Sequence, residues 1–196
     1  MKLYDLDGSG NCYKVRLFAA LANIELEIEA VDFLSGAHKK PPLADLNPLG
    51  QVPILQDGSQ VFRDSQAILV YLAGTYGGLA WWPAHPQGQA DIVQWLSFAA
   101  NEVQHSLCTA RLVQKFGYDL DQPAALSKSP GVLSLLDKHL EHHDWLAIGR
   151  PSIADCAVYP YVALAPEGGV DLAPYRHVAR WIARLEALPG YLPKPR

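Results

Sequence analysis

The chain has 196 residues, of which 49% are hydrophobic, so it can bury one large core or two small ones. Its formal net charge of −4 gives no basic footprint for nucleic acid or for an anionic membrane surface. The sequence has no apolar run near the roughly 18 residues of a membrane span, no apolar leader after Met1 and no Cys-x-x-Cys pair. We therefore expect a cytoplasmic protein that binds neither nucleic acid nor membrane.

Strand and helix patterns alternate over the first part of the chain. Residues 2–6 predict a short strand, and residues 13–23 predict a helix with one apolar face. Residues 25–31 alternate acidic and apolar side chains, which is typical of a half-exposed strand. Residues 54–62 predict a hairpin, because an Asp-Gly pair separates two short apolar runs. This order predicts a small α/β domain.

Two dipeptides flank this hairpin. Val52-Pro53 opens its first strand, and a proline there lacks a ladder donor, which indicates a strand start or an edge. Asp64-Ser65 stands where a helix N-cap belongs, ahead of apolar residues at helical spacing. A helix N-terminus has free N–H groups and the positive end of the dipole. An open edge beside it suits an extended peptide that carries a carboxylate.

The second part of the chain is predicted to be all helical. Residues 78–86 are rich in Gly and Pro and predict a linker, which its two Trp residues should anchor against the protein. From residue 87 the strand signals disappear. Apolar residues recur three and four apart over residues 92–110, which predicts a long helix.

Three further segments complete the helical part. Residues 117–130 are polar and contain prolines, so we expect a break there, followed by a helix over residues 132–143. Ser152 and Asp155 have the spacing of a capping box ahead of an apolar run. Residues 175–188 predict a last amphipathic helix.

The segment Asn-Pro-Leu-Gly-Gln-Val-Pro at 47–53, followed by the acid-Ser pair at 64–65, resembles the glutathione transferase family. The resemblance extends over essentially the whole chain. It implies a thioredoxin-like α/β domain over residues 1–77, a linker over 78–86 and an all-α domain over 87–196. It also implies a homodimer.

The resemblance assigns a role to each part of a glutathione site. It implies that Pro53 follows a cis peptide bond and that the backbone of Val52 pairs with the cysteinyl unit of glutathione. Asp64 would bind the γ-glutamyl ammonium group, and Ser65 with its helix N-terminus would bind the adjacent carboxylate. Many family members have Glu or Gln in place of Asp64. An ordinary N-cap is the alternative for this pair.

Two further residues match family positions at the glycyl end of glutathione. His38 matches a basic position that binds the glycyl carboxylate, and Gln51 matches a position that reaches the same end. A solvated loop histidine beside two lysines is the alternative interpretation of His38.

Glutathione chemistry needs a thiolate, whereas a free thiol has a pKa of about 8.5. In the family, a Tyr, Ser or Cys near the first helix stabilises the thiolate. Ser9 is our candidate, because the segment Ser-Gly-Asn-x-Tyr-Lys-Val-Arg-Leu resembles serine-type bacterial transferases, and Asn11 would assist it. Cys12 and Tyr4 are alternatives. Cys12 lies three residues after the catalytic family position, and Tyr4 lies within the predicted first strand.

Neither of two metal-like patterns is complete. Asp5-x-Asp7 resembles the start of a calcium loop, but the twelfth position is Arg16 instead of the required Glu. His139 and His143 lie four apart on a predicted helix, but no acidic or histidine partner completes the set. We expect no metal and no permanently bound cofactor, with glutathione acting as co-substrate.

The pocket for the second substrate is the least specified. In relatives the long helix lines it, which makes Phe98, Asn101 and His105 the candidates here. A helix face at the dimer interface is the alternative interpretation of these residues.

The resemblance thus implies a glutathione S-transferase in which Ser9 stabilises a thiolate that attacks a hydrophobic electrophile. Detoxification is the expected role, with catabolism and stress response as alternatives. A glutathione-dependent peroxidase or disulfide oxidoreductase is one alternative, and Cys12 reactivity would favour it. A non-catalytic binding protein of the same shape is the other.

Overall fold

The computed structural model describes residues 1–195. Its first half contains one four-stranded sheet in the order β2-β1-β3-β4. The strands are β1 (Lys2–Asp5), β2 (Glu27–Ala30), β3 (Ile54–Asp57) and β4 (Gln60–Phe62). β1 pairs in parallel with β2 and antiparallel with β3, which places Leu3 opposite both Ile28 and Leu55. The predicted hairpin is present, since β3 and β4 pair antiparallel.

The predicted half-exposed strand over residues 25–31 is only partly correct. β2 is shorter, and all four of its residues are exposed to solvent. Ile28, the apolar residue in its centre, is 47% exposed, and β2 is an edge strand of the sheet.

Two helices pack in the same core as this sheet. The helices of the first half are α1 (Gly10–Leu21), α2 (Leu43–Leu46) and α3 (Ser65–Leu72), with a 3-10 turn over Ala37–Lys39. Phe18 of α1 and Leu69 of α3 are fully buried in the same core as Leu3 of β1. The resulting α/β unit confirms the predicted fold of the first half.

The predicted linker packs against the protein. A π-helical turn (Ala73–Gly77) leads into the short α4 (Gly78–Trp81). The Trp81 ring lies edge-on to Phe18, with 5.3 Å between centroids. Arg150 donates hydrogen bonds of 2.9 Å to the carbonyls of Leu79 and Ala80. The segment is therefore held by both halves, and the domain limits at residues 77 and 87 stay predictions.

The second half is helical, as predicted. Its helices are α5 (Pro86–Phe98), α6 (Thr109–Phe116), α7 (Gln122–Leu140), α8 (Ile153–Ala163) and α9 (Arg176–Glu186), with a π-helical segment (Ala99–Cys108) joining α5 to α6 and a 3-10 turn at Ala165–Gly168. α8 is buried on nearly all sides and contacts both α1 and α5. One continuous core therefore runs through both halves. Within residues 1–195, no helix combines the length and apolar character needed to cross a membrane.

The predicted break over residues 117–130 is wrong over most of its length. α7 begins at Gln122, with Asp121 as its N-cap and a proline in its first turn, and it continues through Pro130. Pro130 is on the exposed side of the helix, while Ser129 and Val132 beside it are buried. The buried face keeps the helix continuous even though proline removes one backbone donor.

The predicted capping box opens α8. Ser152 accepts from the backbone N–H of Ala154, and the Asp155 carboxylate accepts from the backbone N–H of Ser152 at 3.0 Å. The box is buried, so it also fixes the most enclosed helix of the protein in place.

Candidate active site

Three segments with predicted site residues meet at one edge of the sheet. β3 runs antiparallel to β1, with Ile54 opposite Tyr4, so β3 begins where β1 ends. β4 runs antiparallel to β3, with Phe62 opposite Leu55, so β4 ends at the same edge. The loop to Ser9, the Val52-Pro53 pair and the Asp64-Ser65 pair therefore converge on this edge.

Ser9 is the N-cap of α1. Its backbone is extended, and its Oγ accepts a hydrogen bond of 3.3 Å from the backbone N–H of Cys12. The Ser9 hydroxyl keeps its own proton as a donor, because an accepting oxygen does not use it. The backbone N–H groups of Gly10 and Asn11 belong to the first helical turn and have no intrahelical acceptor. A hydroxyl donor and a positive helix end thus occur together at Ser9, and both favour an anion such as a thiolate.

Cys12 and Tyr4, the two alternatives to Ser9, both make hydrogen bonds within the protein. The Cys12 side chain is fully buried, and its Sγ accepts from the backbone N–H of Leu6 at 3.3 Å. Burial and the nearby Asp5 carboxylate raise the pKa of the Cys12 thiol to about 12, so it is protonated at neutral pH. The Tyr4 hydroxyl on β1 donates to Gln56 Oε1 at 3.2 Å. Both side chains therefore have structural partners.

The segment before β3 exposes a free stretch of backbone. The Val52–Pro53 peptide bond is cis. Neither the N–H nor the carbonyl of Val52 is bonded to any other residue within positions 1–195. Such unpaired groups can bind an extended peptide in the manner of an added strand.

Asn47 holds this segment in place, a role that its position in the 47–53 motif does not predict. The side chain is fully buried. Its Nδ2 donates to the carbonyl of Gln51 at 2.7 Å, and its Oδ1 accepts from the N–H of Leu49 at 3.1 Å. Asn47 thereby fixes the backbone just before Val52. An asparagine before a proline is common in turns, so the residue type alone does not indicate this role.

Asp64 is an N-cap, as the alternative interpretation of the Asp64-Ser65 pair states. Two polar groups of the pair are nevertheless free to bind a ligand. Its Oδ1 accepts from the N–H groups of Gln66 (3.0 Å) and Ala67 (2.9 Å). Within the described chain its Oδ2 has no hydrogen-bond donor, and the N–H of Ser65 has no acceptor. One carboxylate oxygen and one helix N–H therefore remain for a ligand that carries both an ammonium group and a carboxylate.

His38 and Gln51 differ in burial. His38 is buried, which corrects the solvated-loop interpretation, and its ring stacks on Phe33 with 3.8 Å between centroids. Its Nδ1 is buried without a partner among residues 1–195. Burial and the neighbouring Lys39 lower the pKa of His38. Gln51 is exposed, and its carbonyl is bound by Asn47.

The three candidates for the co-substrate pocket have different surroundings. Phe98 lines a cavity of about 460 Å³ with Trp95, His139 and Trp145. All residues lining this cavity come from the second half, and none of the predicted glutathione-binding residues lines it. Asn101 and His105 are exposed, and Asn101 donates to Glu102 at 3.0 Å. Their roles stay predictions.

The loop that carries Ser9 is bound by the second half of the chain. Arg111 of α6 is 1% exposed, and its Nη1 donates to the carbonyl of Gly8 at 3.0 Å. The sequence predicts only pocket-lining residues on the long helix that leads to Arg111, and it does not predict this contact. The two residues lie 103 positions apart, and no local pattern connects them.

Both parts of the chain match models of one protein family. Residues 3–80 match the family model for the glutathione S-transferase N-terminal domain, and residues 105–189 match the model for the C-terminal domain. The chain is 30% identical over 193 residues to glutathione S-transferase 2 of Anopheles gambiae, covering 97% of this chain and 92% of that protein.

Solved structures give the same result. A protein of Rhodopseudomonas palustris described as a possible glutathione S-transferase superposes with a TM-score of 0.90 at 33% identity, covering 100% of this chain and 90% of that chain. A glutathione S-transferase of Pseudomonas fluorescens superposes with a TM-score of 0.90 at 29% identity, covering 100% of this chain and 98% of that one. With both halves matched in sequence and in fold, the chain belongs to the glutathione S-transferase family.

Proposed function

We propose that the chain is a serine-type glutathione S-transferase. Ser9 carries the proposal, since its hydroxyl and the N-terminus of α1 occur at the same point and both favour a thiolate. Ser9 donates to the glutathione sulfur, and Asn11 in the same turn assists. The thiolate then attacks an electrophilic carbon of a hydrophobic co-substrate, which forms a carbon–sulfur bond and releases the leaving group.

The rest of the proposed site holds glutathione in place. The backbone of Val52, ahead of Pro53, pairs with the cysteinyl unit. Asp64 Oδ2 binds the γ-glutamyl ammonium group, and the free N–H and the hydroxyl of Ser65 bind its carboxylate. His38 and Gln51 bind the glycyl carboxylate.

We propose that the protein works in the cytoplasm. The three cysteines are free thiols, which fits the reducing cytoplasm, and the proposed role is detoxification with glutathione as co-substrate. We also propose a homodimer. Apolar side chains on β4, α4 and α5 are exposed, and a second copy could cover them (Val61, Leu79, Val93).

The proposal is tested in wild type, Ser9→Ala and Cys12→Ala. Calorimetry measures glutathione binding, and a second assay measures conjugation of glutathione to a chloronitrobenzene. We expect all three proteins to bind glutathione. Conjugation should fall by about 10²-fold in Ser9→Ala, because the donor to the developing thiolate is lost. Cys12→Ala should keep its activity.

Two other results would redirect the assignment. If wild type binds glutathione but conjugates nothing, disulfide exchange becomes the better description, and loss of that activity in Cys12→Ala would establish it. If wild type does not bind glutathione, the site assignment is wrong.

A further inference from the structure

We propose that Arg111 is a positioning residue that sets the location of the Ser9 hydroxyl through the carbonyl of Gly8. The inference rests on the proposed role of Ser9. It adds a residue of the second half to the machinery that tunes the glutathione thiol.

The hydrogen bond from Arg111 to Gly8 is well fixed. The guanidinium is almost fully buried, and its Nε donates to Glu167 Oε2 at 2.6 Å while its Nη1 donates to the Gly8 carbonyl at 3.0 Å. Charge-assisted hydrogen bonds in a buried setting are stronger than neutral ones. Glu167 therefore anchors a guanidinium whose other end reaches the residue just before Ser9.

Packing restricts the same loop on both sides of Ser9. A Cβ added at Gly8 would lie 3.3 Å from the ring of Phe116, and a Cβ added at Gly10 would lie 2.7 Å from the ring of Tyr161. Both rings belong to the second half. The loop thus fits closely against surfaces that α6 and α8 provide, and Arg111 adds the polar contact.

A small displacement of Ser9 matters because the effect of its hydroxyl on a thiolate depends on hydrogen-bond distance and angle. A catalytic group misplaced by about 1 Å can cost about 10²-fold in rate. Loss of the Arg111 bond frees the Gly8 carbonyl and lets the loop shift. We therefore expect a weaker hydrogen bond to the sulfur and a higher pKa of the bound thiol.

Lys115 offers a matched control. Its Nζ donates to the same Glu167 Oε2 at 2.9 Å, so its removal disturbs the same anchor. Its side chain is 27% exposed, and within residues 1–195 it makes no hydrogen bond to the Ser9 loop. A general weakening of the Glu167 cluster would therefore appear in both variants, whereas positioning of Ser9 would appear only in the Arg111 variant.

The test measures the pKa of bound glutathione from the ultraviolet absorption of the thiolate, together with the Kd for glutathione and kcat for conjugation. The variants are Arg111→Met, Arg111→Lys and Lys115→Met, with Ser9→Ala as reference. Arg111→Met should raise the thiol pKa by about one pH unit and lower conjugation at neutral pH about tenfold, while the Kd changes less than about threefold. Lys115→Met should match wild type.

Arg111→Lys guards against a folding failure of Arg111→Met. Its ammonium can keep the bond to Glu167, but it lacks the fork that reaches Gly8 as well, so the thiol pKa should still rise. In a Ser9→Ala background, neither substitution should change the thiol pKa further, because the group being positioned is absent.

The outcomes separate the two proposals. An unchanged thiol pKa in Ser9→Ala itself would overturn the role of Ser9 and the proposed function with it. A raised thiol pKa in Ser9→Ala, together with a wild-type value in folded Arg111→Lys or Arg111→Met, would overturn the positioning role alone. An equal rise in Lys115→Met would also overturn it, since the effect would then come from the Glu167 cluster.

Discussion

Lys14 is a buried lysine on α1, close to the contact between the two halves. The residue is 1% exposed, and its ammonium nitrogen lies 5.9 Å from the centre of the Tyr161 ring. Burial lowers the pKa of Lys14 to about 8, because the charged form loses its hydration. The unfolded chain binds this proton more tightly than the folded protein does, so at neutral pH the residue lowers the free energy of unfolding.

Lys14→Met should therefore stabilise the protein at pH 7. The difference between an ordinary lysine and a pKa of about 8 corresponds to about 3 kcal/mol, and imperfect packing of Met reduces the gain to about 1–3 kcal/mol. Between pH 8 and 10.5 the unfolded wild type holds more protons than the folded form, so wild type gains stability as pH rises. The advantage of the variant should shrink over this range.

Urea unfolding of both proteins at pH 7 and pH 10 measures this difference. Lys128→Met, at an exposed lysine of α7, is the control and should change the free energy of unfolding little at either pH. A Lys14→Met protein that is less stable than wild type at pH 7 would mean that the ammonium makes favourable contacts that outweigh its desolvation.

Single residues of the site differ in how far the sequence reveals them. Ser9, Val52 and Asp64 stand next to local signals, namely a helix start, a strand start and an N-cap. Such signals can be recognised from a few neighbouring residues in the sequence. Arg111 acts on a carbonyl 103 positions away, so only the packing of α6 against the first loop reveals it. A solvated loop residue remains an alternative interpretation of His38 in the sequence, because its packing against Phe33 cannot be deduced from its basic neighbours.

At the scale of elements, Asp155 joins three parts of the second half. Its Oδ1 accepts from the N–H of Leu146 at 3.1 Å and from the indole N–H of Trp181 at 2.9 Å. Its Oδ2 accepts from the backbone and the hydroxyl of Ser152 at 3.0 and 3.2 Å. The carboxylate therefore connects the start of α8 to the preceding loop and to α9.

Asp155→Ala should lower the free energy of unfolding by about 3–5 kcal/mol, since it leaves several buried donors without an acceptor. Asp121→Ala, which removes the exposed N-cap of α7, should cost only about 1 kcal/mol. Urea denaturation of the two variants with equal m-values makes the comparison. Equal costs would show that Asp155 acts as a simple cap and not as a link between elements.

Helix and strand types were predictable where one periodicity dominates, and errors arose where a local signal competes with packing. Pro123, Pro130 and the polar residues near them favour a break. α7 nevertheless begins at Gln122, because its buried face supplies apolar contacts along its length. The acid-apolar alternation of β2 predicted one buried face. Its position at the sheet edge is set by topology, which alternation does not contain.

At the scale of the whole molecule, the two halves share a core and meet at the start of α1. Gly10, the first residue of that helix, lies against the buried ring of Tyr161 from α8. This contact lets the helix N-terminus, and Ser9 before it, rest directly on the second half. The close approach needs a residue without a side chain.

Gly10→Ala and Gly131→Ala should have opposite effects, although both place alanine in a helix. At Gly131 of α7 the new Cβ meets no atom within 4 Å, so alanine should stabilise by up to about 1 kcal/mol through its higher helix propensity. At Gly10 the Cβ would lie 2.7 Å from Tyr161, which should cost about 1–3 kcal/mol and displace Ser9. Thermal unfolding and conjugation rate measure both effects.

Gly10→Ala should lose stability and activity together, whereas Gly131→Ala should keep its activity. If Gly10→Ala were as stable and active as wild type, the Ser9 loop would have to tolerate movement against α8, and its tight fit between the halves could not be what orients the hydroxyl.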